Sequence, residues 1–186
     1  MKSFLRQAGR CLSLAAVAAA PLAATAQVTT SVYSGYVADG DGTPFTGLVG
    51  TLTTPGIRFG TDTGFNWHPF DLPAFGSQSV GQLNVGASGE YSFSLTSDDG
   101  SSLFIDGVKV IDNGGGHGPF TATGSASLSA GTHSFTVNFF EDFGGQSGVD
   151  LALPQGVTVA VPEPATLAFW LAGGAVLGAW KLRRRR

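Results

Sequence analysis

GEYSFSLTSDDGSSLFIDGVKVIDN, residues 89–113, is the stretch on which the fold turns. Tyr91, Phe93 and Leu95 alternate with Ser92, Ser94 and Thr96, the period of a strand with one buried face. Asp106-Gly107, between LFI and VKV, is a tight-turn signal and predicts a hairpin. The same alternation recurs further along. Phe135, Val137 and Phe139 are spaced by Thr136 and Asn138, and Val149, Leu151 and Leu153 repeat it. Residues 32–37 and 78–85 read as further strands. No stretch between the two ends of the chain offers a persuasive amphipathic helix, and no internal repeat is visible. Glycine and Ser/Thr punctuate the segments as they do in an antiparallel sandwich or barrel. The expected class is all-β, an antiparallel β-sandwich or barrel, with one C-terminal transmembrane helix added by the tail.

The chain has 186 residues, room for one domain between two processed ends. The expected order is a signal peptide (1–26), the β-domain (27–156), a linker carrying a Pro-Glu-Pro motif (157–164), a membrane helix (165–180) and a basic cytoplasmic tail (181–186). The start carries Lys2, Arg6 and Arg10, then an apolar run to Leu22, then Ala24 and Ala26. That is the pattern of a secretory signal with an A-x-A cleavage site. Its apolar run is short for an uncleaved anchor of about 20 residues. Cys11, the single cysteine, falls inside the signal, so the mature protein would hold no disulfide or thiol nucleophile. Arg10 before Cys11 and the apolar run after it are the wrong order for lipidation.

Charge is distributed unevenly. Residues 27–156 hold twelve carboxylates against Arg58 and Lys109, a net charge of −10. Nucleic-acid binding requires clustered cations and is excluded for this region. A divalent cation suits it better.

At the end, VPEPATLAFWLAGGAVLGAWKLRRRR places Pro162 and Pro164 around Glu163, then an apolar stretch, then Lys181 and four arginines. The prolines stop regular structure and hold Glu163 in extended, accessible chain. Residues 165–180 approach the lower length limit for a spanning helix, and the arginines would stay cytoplasmic, leaving the domain outward. This tail resembles the PEP-CTERM sorting signal of Gram-negative bacteria. The resemblance implies recognition of Pro162, Glu163 and Pro164 by an exosortase and delivery to the envelope or extracellular matrix, in bacteria that make exopolysaccharide. A plain C-terminal anchor would need no Pro-Glu-Pro.

Residues 89–153, through SDDG, GHG and FEDFGGQSG, resemble the carbohydrate-binding domain named after the fourteen-kilodalton part of anthrax protective antigen. The likeness is looser over residues 32–75, where a Gly-Tyr opening and IRFGTDTGFNW carry it. Members occur in glycosidases, toxins and yeast adhesins, and the adhesin versions bind sugars through calcium. Side chains of consecutive strand residues point to opposite faces, so Asp98 and Asp99 can grip one ion only if a cis peptide brings them together. The resemblance implies such a cis pair. It also implies Asp142 as a third Ca²⁺ ligand, in place of the adhesins' asparagine, with carbonyls of Gly144 and Gln146 completing the shell and Glu141 as the alternative carboxylate. Calcium accepts six to eight oxygens with flexible geometry, so such a site leaves positions for sugar hydroxyls. The plainer reading of the same residues is a polar turn at SDDG and a solvated loop at FEDFGGQSG.

Other candidates are weaker. Asp39, Asp41 and Thr43 begin like a calcium loop, but Pro44 stands where an EF-hand needs glycine, and they read as a turn. His68, His117 and His133 lack zinc spacing. Phe65, Trp67, Phe120 and Phe143 are the aromatics available to stack on a sugar, with Phe143 favoured for its place in the site loop and core packing as the default for the rest. No Gly-x-Ser-x-Gly elbow, nucleotide loop or zinc signature appears, so the expectation is a non-enzyme. Two functions remain: a calcium-dependent lectin-like module binding a polysaccharide or other glycan, or a structural, protein-binding matrix component without sugar affinity.

Overall fold

The computed structural model describes residues 25–142 and 144–161. Nearly all of the expected signal peptide, Phe143, the Pro162-Glu163-Pro164 motif, the apolar stretch 165–180 and the basic tail lie outside the described residues. Among the described residues no helix is long and apolar enough to cross a membrane.

Eleven strands are described: β1 (Val28–Gly35), β2 (Thr46–Thr54), β3 (Arg58–Phe59), β4 (Phe75–Val85), β5 (Gly89–Asp98), β6 (Ser101–Ile105), β7 (Val108–Asn113), β8 (Phe120–Leu128), β9 (Gly131–Glu141), β10 (Gly148–Ala152) and β11 (Val157–Val159). They form two antiparallel sheets. The larger runs β2-β1-β4-β9-β6-β7, with β11 added beside β4, and the smaller runs β3-β10-β5-β8. The all-β expectation is met.

Alternation places the core. Phe93 and Leu95 of β5 are buried while Ser92 and Ser94 are not, and Phe135, Val137 and Phe139 of β9 face the same interior. Val28, Val32, Leu83, Leu103, Val149 and Leu151 complete the layer between the sheets. Trp67 stacks on Phe59 at 4.3 Å and meets Phe75 edge-on at 5.1 Å, so it closes the core rather than offering a free face. The Asp106-Gly107 turn joins β6 to β7 with both residues at positive φ, 48° and 79°, as the tight hairpin requires. On one flank the sheets almost merge. A Cβ on Gly124 of β8 would collide with the carbonyl of Val110 in β7, so only glycine lets these two edge strands close the sandwich toward a barrel.

The domain continues past the expected boundary at residue 156, because β11 pairs with the end of β4 through Val157↔Val85 and Val159↔Leu83. Three residues are too few to display a period, and only the neighbouring strand reveals that Val157 is buried. Strands β2 and β8 also go unread in the sequence. β2 is an edge strand with mostly exposed residues, and β8, FTATGSASL, turns small side chains inward, so neither carries a strong apolar alternation.

Candidate functional site

At one end of the sandwich the chain passes between the sheets several times, and two of these crossings, β5 to β6 and β9 to β10, lie side by side. Strand β5 ends in the smaller sheet at Asp98, and after Asp99 and Gly100 the chain enters the larger sheet as β6. Strand β9 ends in the larger sheet at Glu141, and residues 142–147 lead back to β10 in the smaller sheet. Pairing fixes their proximity. Asp98 pairs with Gly148, and the Phe140 N–H donates to the Gly100 carbonyl at 3.0 Å. Gly100 has no alternative at this point, since a Cβ would lie 2.7 Å from the carbonyl oxygens of both Gly40 and Gly115 and strike the Phe140 ring.

The Asp98-Asp99 peptide is cis. Ligand oxygens of Asp98, Asp99 and Glu141 all lie within 4.8 Å of one another, and the residues are 7%, 4% and 1% exposed. Asp99 is fixed from two directions: its Oδ1 accepts the His117 N–H at 2.9 Å, and its Oδ2 accepts the Asp142 N–H at 3.1 Å. Glu141 accepts the Gly145 N–H at 3.3 Å. Beneath the crossing, the Ser97 and Ser101 hydroxyls lie 2.7 Å apart, and Asn113 donates to Ser97 at 2.9 Å. The carboxylates therefore sit on a braced platform, not on a free turn.

Burial first, and the charge of Asp99 second, push the Asp98 carboxyl above its ordinary range, with neighbouring His117 working the other way. Arg58 is engaged with Asp62 and Asp150, and Lys109 with Asp112. Those are the two Lys/Arg side chains of the domain.

The carboxylates open into a cleft of 320 Å³ whose rim includes His117, Gly145 and Gln146. Of the residues singled out in the sequence, Asp98 and Asp99 are brought together. Asp142 is adjacent but differently employed, since its Oδ1 accepts the Tyr36 hydroxyl at 2.6 Å and its backbone serves Asp99. The third converging carboxylate is that of Glu141. Gln146 reaches the rim and donates to the Gly64 carbonyl at 3.2 Å. Gly144 lies against Pro73. The Tyr36 phenol is raised in pKa by its burial and by the Asp142 carboxylate it serves.

His117 is a site residue that its spacing did not reveal. Its N–H holds Asp99, its Nδ1 lies 2.8 Å from the Gly118 carbonyl, and its Nε2 lies 3.1 Å from that of Asn113. The GHG run within the family likeness was the available signal. His133 is placed elsewhere, on β9, paired at 2.6 Å with Asp106 of the β6–β7 turn.

Comparison with known proteins gives a consistent answer. The family model for the PA14 domain matches residues 35–163, and that for the PEP-CTERM protein-sorting motif matches residues 160–186. No curated protein matches the chain. Among solved structures, the PA14 domain of the MpAFP antifreeze protein superposes with a TM-score of 0.56 at 20% identity, covering 81% of this chain and 94% of that one. An anti-sigma factor domain-containing protein gives 0.58 at 19% identity, over 79% of this chain. A β-glucosidase from Kluyveromyces marxianus gives 0.52 at 18% identity, over 72% of this chain. The chain spans 50% of the anti-sigma factor protein and 16% of the β-glucosidase. These likenesses show a shared fold. With the family model covering residues 35–163, well over half of the chain, the protein belongs to the PA14 domain family.

Proposed function

We propose that this protein is an exported, exosortase-sorted envelope or matrix protein whose β-domain binds carbohydrate through calcium. The observation that carries the reading is the convergence of three buried carboxylates, Asp98, Asp99 and Glu141, within 4.8 Å of one another. Two oxygens on opposite sides of a calcium ion, at the usual 2.3–2.6 Å, stand about 4.8 Å apart, so the cluster has the span of one coordination sphere. Three hard oxygen donors without sulfur or a converging imidazole suit calcium rather than zinc. Asp98, Asp99 and Glu141 would hold the ion, with Asp142 orienting Asp99 through its backbone. A bound calcium supplies open coordination positions for vicinal sugar hydroxyls.

The same geometry argues against glycoside hydrolysis. Two acids flanking a scissile bond stand roughly 5 to 9.5 Å apart across the sugar. Here all three carboxylates offer oxygens within 4.8 Å of one another, below that spacing. Export and envelope retention rest on the PEP-CTERM match, with Pro162-Glu163-Pro164 as the exosortase signal and residues 165–180 as the membrane segment, the domain facing outward.

Glycan-array binding with calcium, and again with a chelator, tests the proposal. Selective retention abolished by chelation is the expected result. Retention that survives chelation would remove calcium from the account, and a folded protein that retains no glycan would leave a structural matrix role.

A further inference from the structure

Beside the carboxylate cleft lies a second one of 550 Å³, lined by Asp112, Asn113, His117, Gly118 and Phe120 among others. The two share His117 and Gly118 as a common wall. Phe120 opens strand β8, yet it is 59% exposed, and its ring meets His117 edge-on at 6.1 Å. An exposed aromatic by itself is ordinary. This one, however, flanks a cleft that shares its His117–Gly118 wall with the candidate ion site, and that wall is already fixed. The His117 ring is held between two carbonyls and its N–H is held by Asp99. The Asp112 carboxylate, which also lines this cleft, stays largely exposed and pairs with Lys109 at 3.3 Å. An apolar ring face beside hydrogen-bonding groups matches the two chemistries of a pyranose, whose C–H face is apolar and whose edge carries hydroxyls.

We propose that this second cleft is a sugar subsite contiguous with the carboxylate site, so that the domain recognises a glycan of two or more units, one at the ion and the next on Phe120. The proposal rests on the calcium-lectin reading above and adds the ligand class to it. The carboxylate cleft would set which sugar is accepted, and the Phe120 cleft would select for chain.

The test uses the full chain, solubilised in a detergent without a sugar headgroup and saturated with calcium. Titration with the methyl glycosides of glucose, galactose and mannose, and with their linear di- to hexasaccharides, measures affinity against length. The expected result is a gain of roughly three- to tenfold on passing from one unit to two or three, then a plateau. Phe120→Ala should erase that gain, and Phe120→Trp should keep or enlarge it, with calcium affinity confirming that each variant is folded. Equal affinity for single sugars and oligosaccharides would overturn the subsite while leaving the lectin reading intact. So would a length gain that persists in Phe120→Ala. Calcium binding with no sugar bound at all would overturn the lectin reading and the subsite with it.

Discussion

Glu141 and Asp142 are neighbours in sequence and have opposite employments. At the end of a strand, adjacent side chains leave on opposite faces, so only one of the pair can join Asp98 and Asp99. The register of β9, in which Phe75 faces Glu141, selects Glu141. The sequence reading puts Asp142 first, by family likeness, with Glu141 as the alternative, and alternation alone does not decide between them, because a shift of one residue exchanges every side chain between faces. Glu141→Gln should therefore weaken calcium binding by about tenfold or more, whereas Asp142→Asn, which keeps its backbone N–H to Asp99 and an oxygen for Tyr36, should cost less. Calorimetric titration of the two variants separates them, and equal losses would contradict the assignment of Glu141. Asp41 teaches a related lesson. The sequence reading of a turn at residues 39–43 captures its bond to the Thr43 hydroxyl at 2.7 Å. It misses Ser102 at 2.6 Å and Asn138 at 3.1 Å, which lie 61 and 97 residues away in the chain. Burial would raise this carboxyl, but the donated bonds from Ser102, Thr43 and Asn138 outweigh it and hold the pKa at about 2. A folded-state pKa below the unfolded value stabilises the protein above the ordinary aspartate range, and that contribution is lost as pH falls from about 4 through 2. It amounts to about 2 kcal/mol. Urea unfolding between pH 6 and 2 should show a steeper acid loss in the native protein than in Asp41→Ala. That variant should also be less stable at neutral pH by about 2 to 4 kcal/mol, since Ser102 and Asn138 lose their acceptor.

The crossover from β5 to β6 is the element on which site and fold both depend. It carries Asp98 and Asp99, and it can approach the Gly40 and Gly115 carbonyls only because Gly100 has no side chain. Gly100→Ala is expected to cost about 1 to 3 kcal/mol by overpacking, read from the urea midpoint, and to weaken calcium binding because the cluster shifts with the backbone. An unchanged midpoint would show that the crossover has more room than its contacts imply. Strands β5 and β9 were legible because apolar residues alternate along them, Phe93 with Leu95 and Phe135 with Val137 and Phe139, and the β6–β7 hairpin was legible from its turn residues. Strand β8 was not, since Ala122, Gly124 and Ala126 turn inward where large apolar side chains would be expected, and Gly124 must stay small against Val110. What the alternation could not convey is that β5 and β6 belong to different sheets. That depends on pairing partners distant in sequence, such as Gly148 with Asp98 and Phe139 with Ser101.

At the scale of the molecule, a domain of net charge −10 concentrates three buried acids at one end of a sandwich whose other surfaces carry no comparable cluster among the described residues. Gathering these charges opposes folding, and a cation held by the folded state alone would reverse that balance. Calcium at about one hundred times its dissociation constant should then stabilise the domain by about 2.7 kcal/mol. That corresponds to a rise in Tm of roughly 5 to 10 °C for a domain of this size, and a chelator should reverse it. The β5–β6 crossover and the end of β9 both contribute ligands, so the rise should be smaller in Glu141→Gln and absent when Asp98 and Asp99 are both replaced. The most direct test is calorimetric titration of calcium into the full chain alongside the double variant Asp98→Asn, Asp99→Asn. One calcium ion bound per native chain, and none per variant chain of undiminished fold, is the result this account expects. Equal calcium binding by both would contradict it.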